Sequence, residues 1–245
     1  MRGLYAIVDV STLAARRLDP LEFTRAVLSV RPAALQVRAK DLPTREFLTL
    51  LRSVAPLCRA AGVPLVANDR VDLAALAGCD YVHLGQEDLP IELVRRIAPN
   101  LRVGVSTHTP EQLERALLAR PTYVAYGPVY PTGSKAQPDA CVGIAGLRAA
   151  AFLAAAARIP LVAIGGITVE RAREVAPFSD AAAVIAALLP PPTTDVATPR
   201  PAAAPPGIQL TDARDARSVV FAQVASRARQ LQAVLEAGRA GEARA

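Results

Sequence analysis

The chain has 245 residues, and 52% of them are hydrophobic, which is enough for one sizeable core and one catalytic domain. The formal net charge is +6, yet the sequence has no run of basic residues with interleaved aromatic residues, so it argues against a nucleic-acid partner. A basic balance also favours small anionic ligands such as phosphates. No stretch is long and apolar enough to span a bilayer, so we expect no membrane partner.

The cysteines and the first residues bear on the cellular compartment. Cys58, Cys79 and Cys141 lie far apart and lack the spacing of a zinc site, so we interpret them as ordinary thiols. Residues 1–10 begin directly in an apolar strand pattern, without the apolar segment and cleavage site of a secretory signal. We therefore expect a cytoplasmic protein, whereas the sequence leaves undetermined whether it is a monomer or a homo-oligomer.

Eight short apolar runs rich in β-branched residues alternate with longer segments rich in Ala, Leu and Arg. Repeated strand-helix alternation predicts a parallel sheet, and eight repeats favour a closed (β/α)8 TIM barrel over an open sheet. The predicted strands, in chain order, cover residues 4–8, 34–37, 64–67, 81–84, 102–105, 123–126, 161–164 and 182–185.

Local signals also predict where several helices begin and end. Asp19-Pro20 and Thr109-Pro110 are typical of an N-cap followed by Pro in the first helical turn. A long helical pattern covers residues 44–61, and Gly62 follows it. We expect Gly62 to end this helix in the left-handed conformation.

We divide the chain into four segments. Residues 1–189 form the barrel body with its eight strands, and residues 190–207, which are dense in Pro, Ala and Thr, are predicted to be a flexible insertion. Apolar residues at helical spacing predict the last barrel helix over residues 208–237. Residues 238–245 are expected to be a disordered tail.

Polar residues follow the apolar runs directly, at the carboxyl ends of the predicted strands, where barrel enzymes build their active sites. After the second strand, the alternation of an extended segment directs Gln36, Arg38 and Lys40 to one side. Two cations and an amide at the barrel mouth suit an anionic substrate. The alternative is a solvated strand end, and the spacing alone does not separate the two.

Carboxylates follow the third and fourth strands. Asn68-Asp69 and Asp88 place hard oxygen ligands in two neighbouring loops. Such a pair could hold Mg²⁺, which takes one or two carboxylates together with waters and substrate phosphate oxygens. Each Asp could instead cap a following helix, and for either Asp taken singly capping is the favoured interpretation.

The fifth strand ends near a hydroxyl and a histidine. Ser106 could bind a phosphate oxygen or a substrate amine. His83 and His108 lack the spacing of a metal-binding pair, so we expect structural roles for both.

Hydroxyls, one ammonium group and a Gly pair follow the sixth and seventh strands. Thr132, Ser134 and Lys135 suit a pyrophosphate, with a surface turn as the alternative. Gly165-Gly166 would let backbone amides approach a phosphate near the start of the next helix. Taken alone, a Gly pair is a weak signal.

Six segments read together resemble the thiamine phosphate synthase (thiamine-phosphate pyrophosphorylase) family. Their order and spacing match that family across residues 4–188, and the six together are far more specific than any one. The segments are Gln36-x-Arg38-x-Lys40, Asn68-Asp69, residues 83–88 (HLGQED), residues 104–109 (GVSTHT), residues 127–135 (GPVYPTGSK) and residues 163–167 (AIGGI).

The resemblance implies a transferase that condenses 4-amino-5-hydroxymethyl-2-methylpyrimidine diphosphate with a thiazole phosphate by a dissociative, Mg²⁺-assisted substitution. Its catalytic residues would be Arg38, Lys40, Ser106 and Lys135, and its Mg²⁺ ligands Asp69 and Asp88. The pyrimidine diphosphate would be bound by Gln36, Arg38, Lys40, Asn68, Ser106 and Lys135. The thiazole phosphate would be bound by Thr132, Ser134, Gly166 and the backbone at Ile185 and Ala186.

The chain departs from the family pattern after the eighth strand. The family usually has Ser there, whereas this chain has Ala186 in the segment VIAAL, so one hydroxyl contact to the thiazole phosphate is lost. Two alternatives remain, a thiazole tautomerase of the same barrel family and a non-catalytic phosphate-binding barrel. Neither needs the full set of Arg38, Lys40, Asp69, Asp88 and Lys135, so the synthase is favoured.

Overall fold

In the computed structural model, the described residues are 1–133, 139–191 and 212–240, and eight parallel strands close into one barrel. Each strand pairs with the next along the chain, and the eighth pairs with the first, so the predicted (β/α)8 barrel is confirmed. The strands are β1 (Gly3–Asp9), β2 (Ala34–Arg38), β3 (Leu65–Asn68), β4 (Tyr81–Leu84), β5 (Arg102–Thr107), β6 (Tyr123–Tyr126), β7 (Leu161–Ile164) and β8 (Ala181–Val184).

Helices surround this barrel. They are α1 (Val10–Ala15), α2 (Pro20–Leu28), α3 (Thr44–Ala61), α4 (Val71–Ala77), α5 (Ile91–Ile97), α6 (Pro110–Leu118), α7 (Gly143–Ala157), α8 (Val169–Val175) and α9 (Asp212–Ala240). Short 3₁₀ turns lie at Ala176–Phe178 and Ala186–Leu188. None of the helices in the described ranges is long and apolar enough to cross a membrane.

The helix ends follow the local signals in the sequence. The Asp19 carboxylate accepts hydrogen bonds from the backbone N–H groups of Leu21 and Glu22, and the Thr109 hydroxyl accepts one from Gln112. Helix α3 has its predicted bounds and ends at Gly62, whose φ of 68° is left-handed. These predictions hold because capping and left-handed C-terminal residues depend on a few neighbouring residues only.

The last helix is longer than predicted at its C-terminus. Helix α9 ends at Ala240, so residues 238–240 are helical and do not belong to the expected tail. Its buried residues Val224, Ala228, Leu231 and Leu235 recur at helical spacing and pack between α2 and α8, which closes the helical layer. Most of the predicted insertion (192–207), residues 208–211 and residues 241–245 lie outside the described residues.

Side chains in the barrel interior change in character along the barrel axis. The inward positions nearer the amino ends of the strands are apolar or aromatic, and include Tyr5, Val66 and Tyr123. Inward positions at the carboxyl ends are polar although they are buried, as Asp9 and Asn68 show. Buried polar groups are tolerated where they pair with one another, so this end of the barrel is where chemistry can occur.

One glycine makes room for a large ring inside the barrel. A Cβ atom at Gly104 would lie 2.0 Å from Cζ of Tyr123, which is far below van der Waals contact. The missing side chain on β5 therefore lets the Tyr123 ring cross the barrel interior. This ring position matters for the site described next.

Candidate active site

Strands β1 and β2 bring a carboxylate and a guanidinium together at the barrel mouth. Arg38 Nη1 donates to Asp9 Oδ2 at 2.6 Å, and the two side chains are 18% and 4% exposed. Asp9 also caps α1, because its other carboxylate oxygen accepts from the Thr12 N–H and hydroxyl. Asp9 therefore holds the guanidinium of Arg38 in one orientation.

Two amide side chains meet beside this ion pair. Gln36 Nε2 donates to Asn68 Oδ1 at 3.2 Å, which links the carboxyl ends of β2 and β3. Both side chains are buried. The structure thus brings Gln36 and Arg38 to one rim, as the alternation of that segment predicts, and adds Asn68 from β3.

The two candidate metal ligands are close neighbours, and a lysine lies beside them. Burial and the nearby charge of Asp88 raise the pKa of the Asp69 carboxyl, and Lys40 opposes this rise with Nζ at 3.5 Å from Asp69 Oδ2. Asp88 Oδ2 accepts from the Gly85 N–H at 2.6 Å, which orients that carboxylate. Because the charge of Asp88 disfavours that of Asp69, a bound cation would stabilise this site.

The capping interpretation of these two residues is wrong. Helix α4 has Arg70 at its N-cap position and α5 has Pro90, and neither helix has a side-chain capping bond. Asp69 instead adopts a left-handed φ of 62°, and its N–H donates to the His83 carbonyl at 2.8 Å. The turn therefore places the Asp69 carboxylate near Asp88, away from the helix start.

Ser106 is hydrogen-bonded to a histidine that belongs to the barrel interior. His83 Nε2 lies 2.9 Å from Ser106 Oγ, and His83 Nδ1 lies 2.8 Å from the Tyr123 hydroxyl. The Gln86 side chain donates to the Ser106 carbonyl at 2.6 Å. The structural role expected for His83 is thus combined with a direct contact to a candidate site residue.

His108 holds the loop that follows β6. Its Nδ1 lies 2.6 Å from the Gly127 carbonyl and 3.6 Å from Asp139 Oδ2. These contacts fit the structural role expected from the sequence. They also connect the end of β5 to the first residue of the loop that carries Thr132.

The loop after β6 packs on the Gly165-Gly166 turn after β7. Backbone N–H groups of Val129 and Tyr130 donate to the carbonyls of Ile164 and Gly165 at 2.9 and 3.1 Å. Gly166 has a φ of 63°, and a Cβ atom there would lie 2.5 Å from the Pro131 carbonyl oxygen. The Gly pair is therefore required by backbone conformation and by close packing.

Helix α8 supplies a side chain that joins the same two loops. Arg171 Nη1 donates to the Gly166 carbonyl at 2.8 Å, and its guanidinium lies 4.5 Å from the centre of the Tyr130 ring. The Tyr130 hydroxyl donates to Glu174 at 2.9 Å. Thr132 is half-buried in this loop, whereas Ser134 and Lys135 lie outside the described residues.

The rim after β8 is the part of the predicted site with the fewest side-chain groups. Ile185 is half-buried, and Ala186 is exposed at the start of the short turn Ala186–Leu188. Arg227 of α9 donates to the Ala187 carbonyl at 2.7 Å, which ties this turn to the last helix. The apolar side chains of Ile185 and Ala186 offer no polar group to an anion, so these two residues could contact one only through their backbone.

Sequence reasoning missed two residues that hold this site together. Asp9 gave a detectable signal, because it is an acidic residue at the carboxyl end of an apolar strand, like Asp69 after β3. Tyr123 gave no such signal, because an aromatic residue in an apolar run is interpreted as a core residue. Its role depends on which residues face it across the barrel, and only the closed barrel shows this.

The geometry defines a (β/α)8-barrel enzyme whose mouth combines cations, carboxylates and amides suited to phosphate-bearing substrates. Residues 4–188 match the family model described as thiamine monophosphate synthase. A thiamine-phosphate synthase of Roseiflexus castenholzii is 41% identical over 200 residues, which cover 80% of this chain and 86% of that protein. Another from Pyrococcus furiosus is 39% identical over 188 residues, which cover 76% and 86%.

A solved structure agrees with these sequence matches. The thiamine phosphate pyrophosphorylase from Pyrococcus furiosus superposes with a TM-score of 0.73 at 29% identity and covers 96% of both chains. The chain belongs to the thiamine monophosphate synthase family, and it is a transferase of thiamine biosynthesis.

Proposed function

We propose that this enzyme condenses 4-amino-5-hydroxymethyl-2-methylpyrimidine diphosphate with a thiazole phosphate, forming thiamine phosphate and releasing pyrophosphate. The observation that carries the proposal is the pairing of Lys40 with Asp69 next to Asp88, at the same barrel mouth as Arg38. A diphosphate with a bound metal cation needs positive side chains for its oxygens and carboxylates for the metal, and this site has both.

The carboxylate pair fits Mg²⁺. Mg²⁺ usually takes one or two protein carboxylates and completes its coordination with waters and substrate phosphate oxygens. Asp69 and Asp88 supply that number, and within the described ranges no cluster of three or more His, Cys, Asp or Glu forms a closed metal cage. Bound Mg²⁺ would neutralise charge on the diphosphate and make it a better leaving group.

The cations of the chain itself would act on the same leaving group. Arg38 is held by Asp9 and keeps further N–H donors for phosphate oxygens, because a guanidinium has five. Lys40, which is half-exposed beside Asp69, would lie over the carboxylate pair as a mobile point charge. Preorganised groups of this kind are worth several kcal/mol when charge develops in the transition state.

Cations and carboxylates placed at the leaving group support a dissociative path. The C–O bond to the diphosphate breaks first, the electron pair leaves with the diphosphate, and the aminopyrimidine ring stabilises the methylene cation. The thiazole nitrogen then donates its electron pair to that carbon, which forms the C–N bond. No enzyme nucleophile is required, so Gln36 and Asn68 need only bind and orient the pyrimidine substrate.

The thiazole phosphate would lie on the opposite side of the mouth. Gly166 and the backbone at Ile185 and Ala186 offer amide groups to the phosphate, and Thr132 and Ser134 would add hydroxyls. Lys135 from the same loop would reach the diphosphate. These assignments rest on the family pattern, and the placement of Gly166 against the loop after β6 supports the one made for Gly166.

The proposal is tested by measuring thiamine phosphate formation from both substrates with Mg²⁺ and with a chelator. We expect thiamine phosphate to form with Mg²⁺ and not with the chelator. Asp88→Ala should abolish this reaction while the protein stays folded. Asp72→Ala is the matched control, because Asp72 is an exposed helical carboxylate that pairs with Arg70. Unchanged turnover in Asp88→Ala would exclude Asp88 from the metal site.

The same experiment separates the two alternatives. Failure to bind the pyrimidine diphosphate would favour a thiazole tautomerase. Binding of both ligands without product would favour a non-catalytic phosphate-binding barrel.

A further inference from the structure

Four side chains form a hydrogen-bonded chain from the barrel interior to the mouth. The Tyr5 and Tyr123 hydroxyls are 2.8 Å apart, Tyr123 Oη lies 2.8 Å from His83 Nδ1, and His83 Nε2 lies 2.9 Å from Ser106 Oγ. Tyr5, Tyr123 and His83 are 2%, 1% and 8% exposed, whereas Ser106 is half-buried at the mouth. The innermost end of the chain is thus sealed, and the outermost end faces the site.

This hydrogen-bonded series of side chains is held rigidly. The His83 ring stacks on the Tyr123 ring with centroids 5.7 Å apart and planes 16° apart, so the imidazole is fixed against rotation by packing as well as by hydrogen bonds. The Gln86 side chain donates to the Ser106 carbonyl, which fixes the backbone of Ser106. The atoms of the four side chains are therefore fixed in position, and the possible arrangements differ only in which atom donates in each hydrogen bond.

Proton counting allows two directions for the chain. Each hydroxyl has one proton to donate, and a neutral imidazole donates from one nitrogen and accepts at the other. In the outward direction Tyr5 donates to Tyr123, Tyr123 donates to His83 Nδ1, and the His83 Nε2–H donates to Ser106 Oγ. In the inward direction every bond is reversed, and the Ser106 hydroxyl donates to His83.

Burial selects the outward direction. Within the described residues, Tyr123 is the hydrogen-bond partner of the Tyr5 hydroxyl, so the inward direction would leave the Tyr5 O–H without an acceptor. Burial raises the pKa of both phenols, so both keep their protons. An unsatisfied buried donor is costly and rare, whereas the outward direction leaves only a lone pair of Tyr5 unused.

We propose that His83 is a positioning residue, held as the Nε2–H tautomer, which makes Ser106 a hydrogen-bond donor toward the ligand. Because one lone pair of Ser106 accepts from the imidazole N–H, its O–H is not used by His83 and can be directed to the mouth. Ser106 then donates to a phosphate oxygen of the ligand. This assignment of Ser106 rests on the proposed function, whereas the tautomer of His83 does not.

The tautomer is measured directly on the unliganded protein. With ¹⁵N-labelled histidine, nitrogen chemical shifts and their proton couplings show which ring nitrogen carries the proton. The chain has two histidines, so His83→Gln assigns the spectrum by leaving His108 alone. We expect a protonated Nε2 and an unprotonated Nδ1 on His83. A proton on Nδ1, or on both nitrogens, would overturn the proposal.

Two variants test the consequence for the reaction. His83→Gln can place an amide N–H near the position of Nε2, whereas His83→Asn reaches only the position of Nδ1. We expect His83→Asn to lower kcat/KM for the pyrimidine diphosphate by about 10- to 100-fold, since a hydrogen bond to a charged group is lost, and His83→Gln to restore most of it.

A double variant separates positioning from general damage to the fold. If His83 acts through Ser106, then Ser106→Ala should lower kcat/KM as much as His83→Asn, and combining the two should cause no further loss. Additive losses, or no rescue by Gln, would overturn the proposal. If the unmodified enzyme forms no thiamine phosphate, the proposed function is overturned instead, and the result on the His83 tautomer still stands.

Discussion

Asp9 and Arg38 are 29 residues apart in sequence, yet their side chains form a 2.6 Å ion pair at the carboxyl ends of adjacent strands. The parallel register places Asp9 directly beside Arg38. The pair belongs to the site and also anchors α1, since the second oxygen of Asp9 caps that helix. One carboxylate thereby links a helix start to a cation of the candidate site.

We expect Asp9→Asn to lower kcat/KM for coupling by about 10-fold, because Arg38 loses the charge that orients it in a partly buried site. Asn still caps α1, so the stability of the fold should change little. Asp19→Asn is the control, since Asp19 also caps a helix, α2, and does so in an exposed position. Equal steady-state kinetics for both variants would contradict an orienting role for Asp9.

Asp69 should destabilise the metal-free fold. Its pKa is raised in the folded state, so ionisation penalises folding as the pH rises above the unfolded value of about 3.9, and the penalty is complete above the folded pKa. We therefore expect Asp69→Asn to raise the free energy of unfolding at neutral pH by about 0.5–1 kcal/mol in chelator. Asn also tolerates the left-handed φ at this position.

Urea unfolding at several pH values measures this effect. The gain in the free energy of unfolding from Asp69→Asn should vanish at a pH below the pKa of Asp69 in the unfolded state. There the Asp69 carboxyl is neutral in both the folded and the unfolded protein. Asp72→Asn provides the comparison, because the Arg70 partner lowers the pKa of Asp72 and its substitution should not stabilise the fold. A gain that persists at low pH would mean that charge is not its cause.

Gly104→Ala should destabilise the protein by about 3 kcal/mol, because the new methyl group overlaps the Tyr123 ring and overpacking of a rigid core is costly. Thermal unfolding measures this directly. Gly133→Ala is the control for added volume, since a Cβ there would meet no atom of the described residues within 4 Å, its chain neighbours apart. A small effect of Gly104→Ala would show that the ring can move aside.

Arg171→Ala should raise KM for the thiazole phosphate by about 5- to 10-fold and leave kcat nearly unchanged. The substitution removes a hydrogen bond to the Gly166 carbonyl and a cation–π contact with Tyr130, each worth about 1 kcal/mol or less. Arg173→Ala is the matched control, because Arg173 is exposed on the same helix. Equal KM values for the two variants would argue against loop positioning by Arg171.

Ala186→Ser tests the departure from the family pattern. A hydroxyl at this exposed position should lower KM for the thiazole phosphate by about 3- to 10-fold, which is less than the full value of a hydrogen bond to a charged group because water competes for the phosphate there. Ala186→Cys is the control, because its thiol has similar size but is a weak donor. If both variants behave like the unmodified enzyme, backbone amides alone bind the phosphate at this rim.

The pattern of short apolar runs determined the number of strands, because alternation and helical spacing are local properties that burial on one face imposes. It also placed Arg38, Asp69 and Ser106 at strand ends, where the barrel fold puts catalytic loops. The tertiary structure alone decided which of these groups touch. The partners Asp9 with Arg38 and Tyr123 with His83 are distant in sequence, and the direction that we propose for the hydrogen bonds at Ser106 depends on the burial of Tyr5. Pairing and desolvation across the barrel are non-local, so no window of sequence contains them.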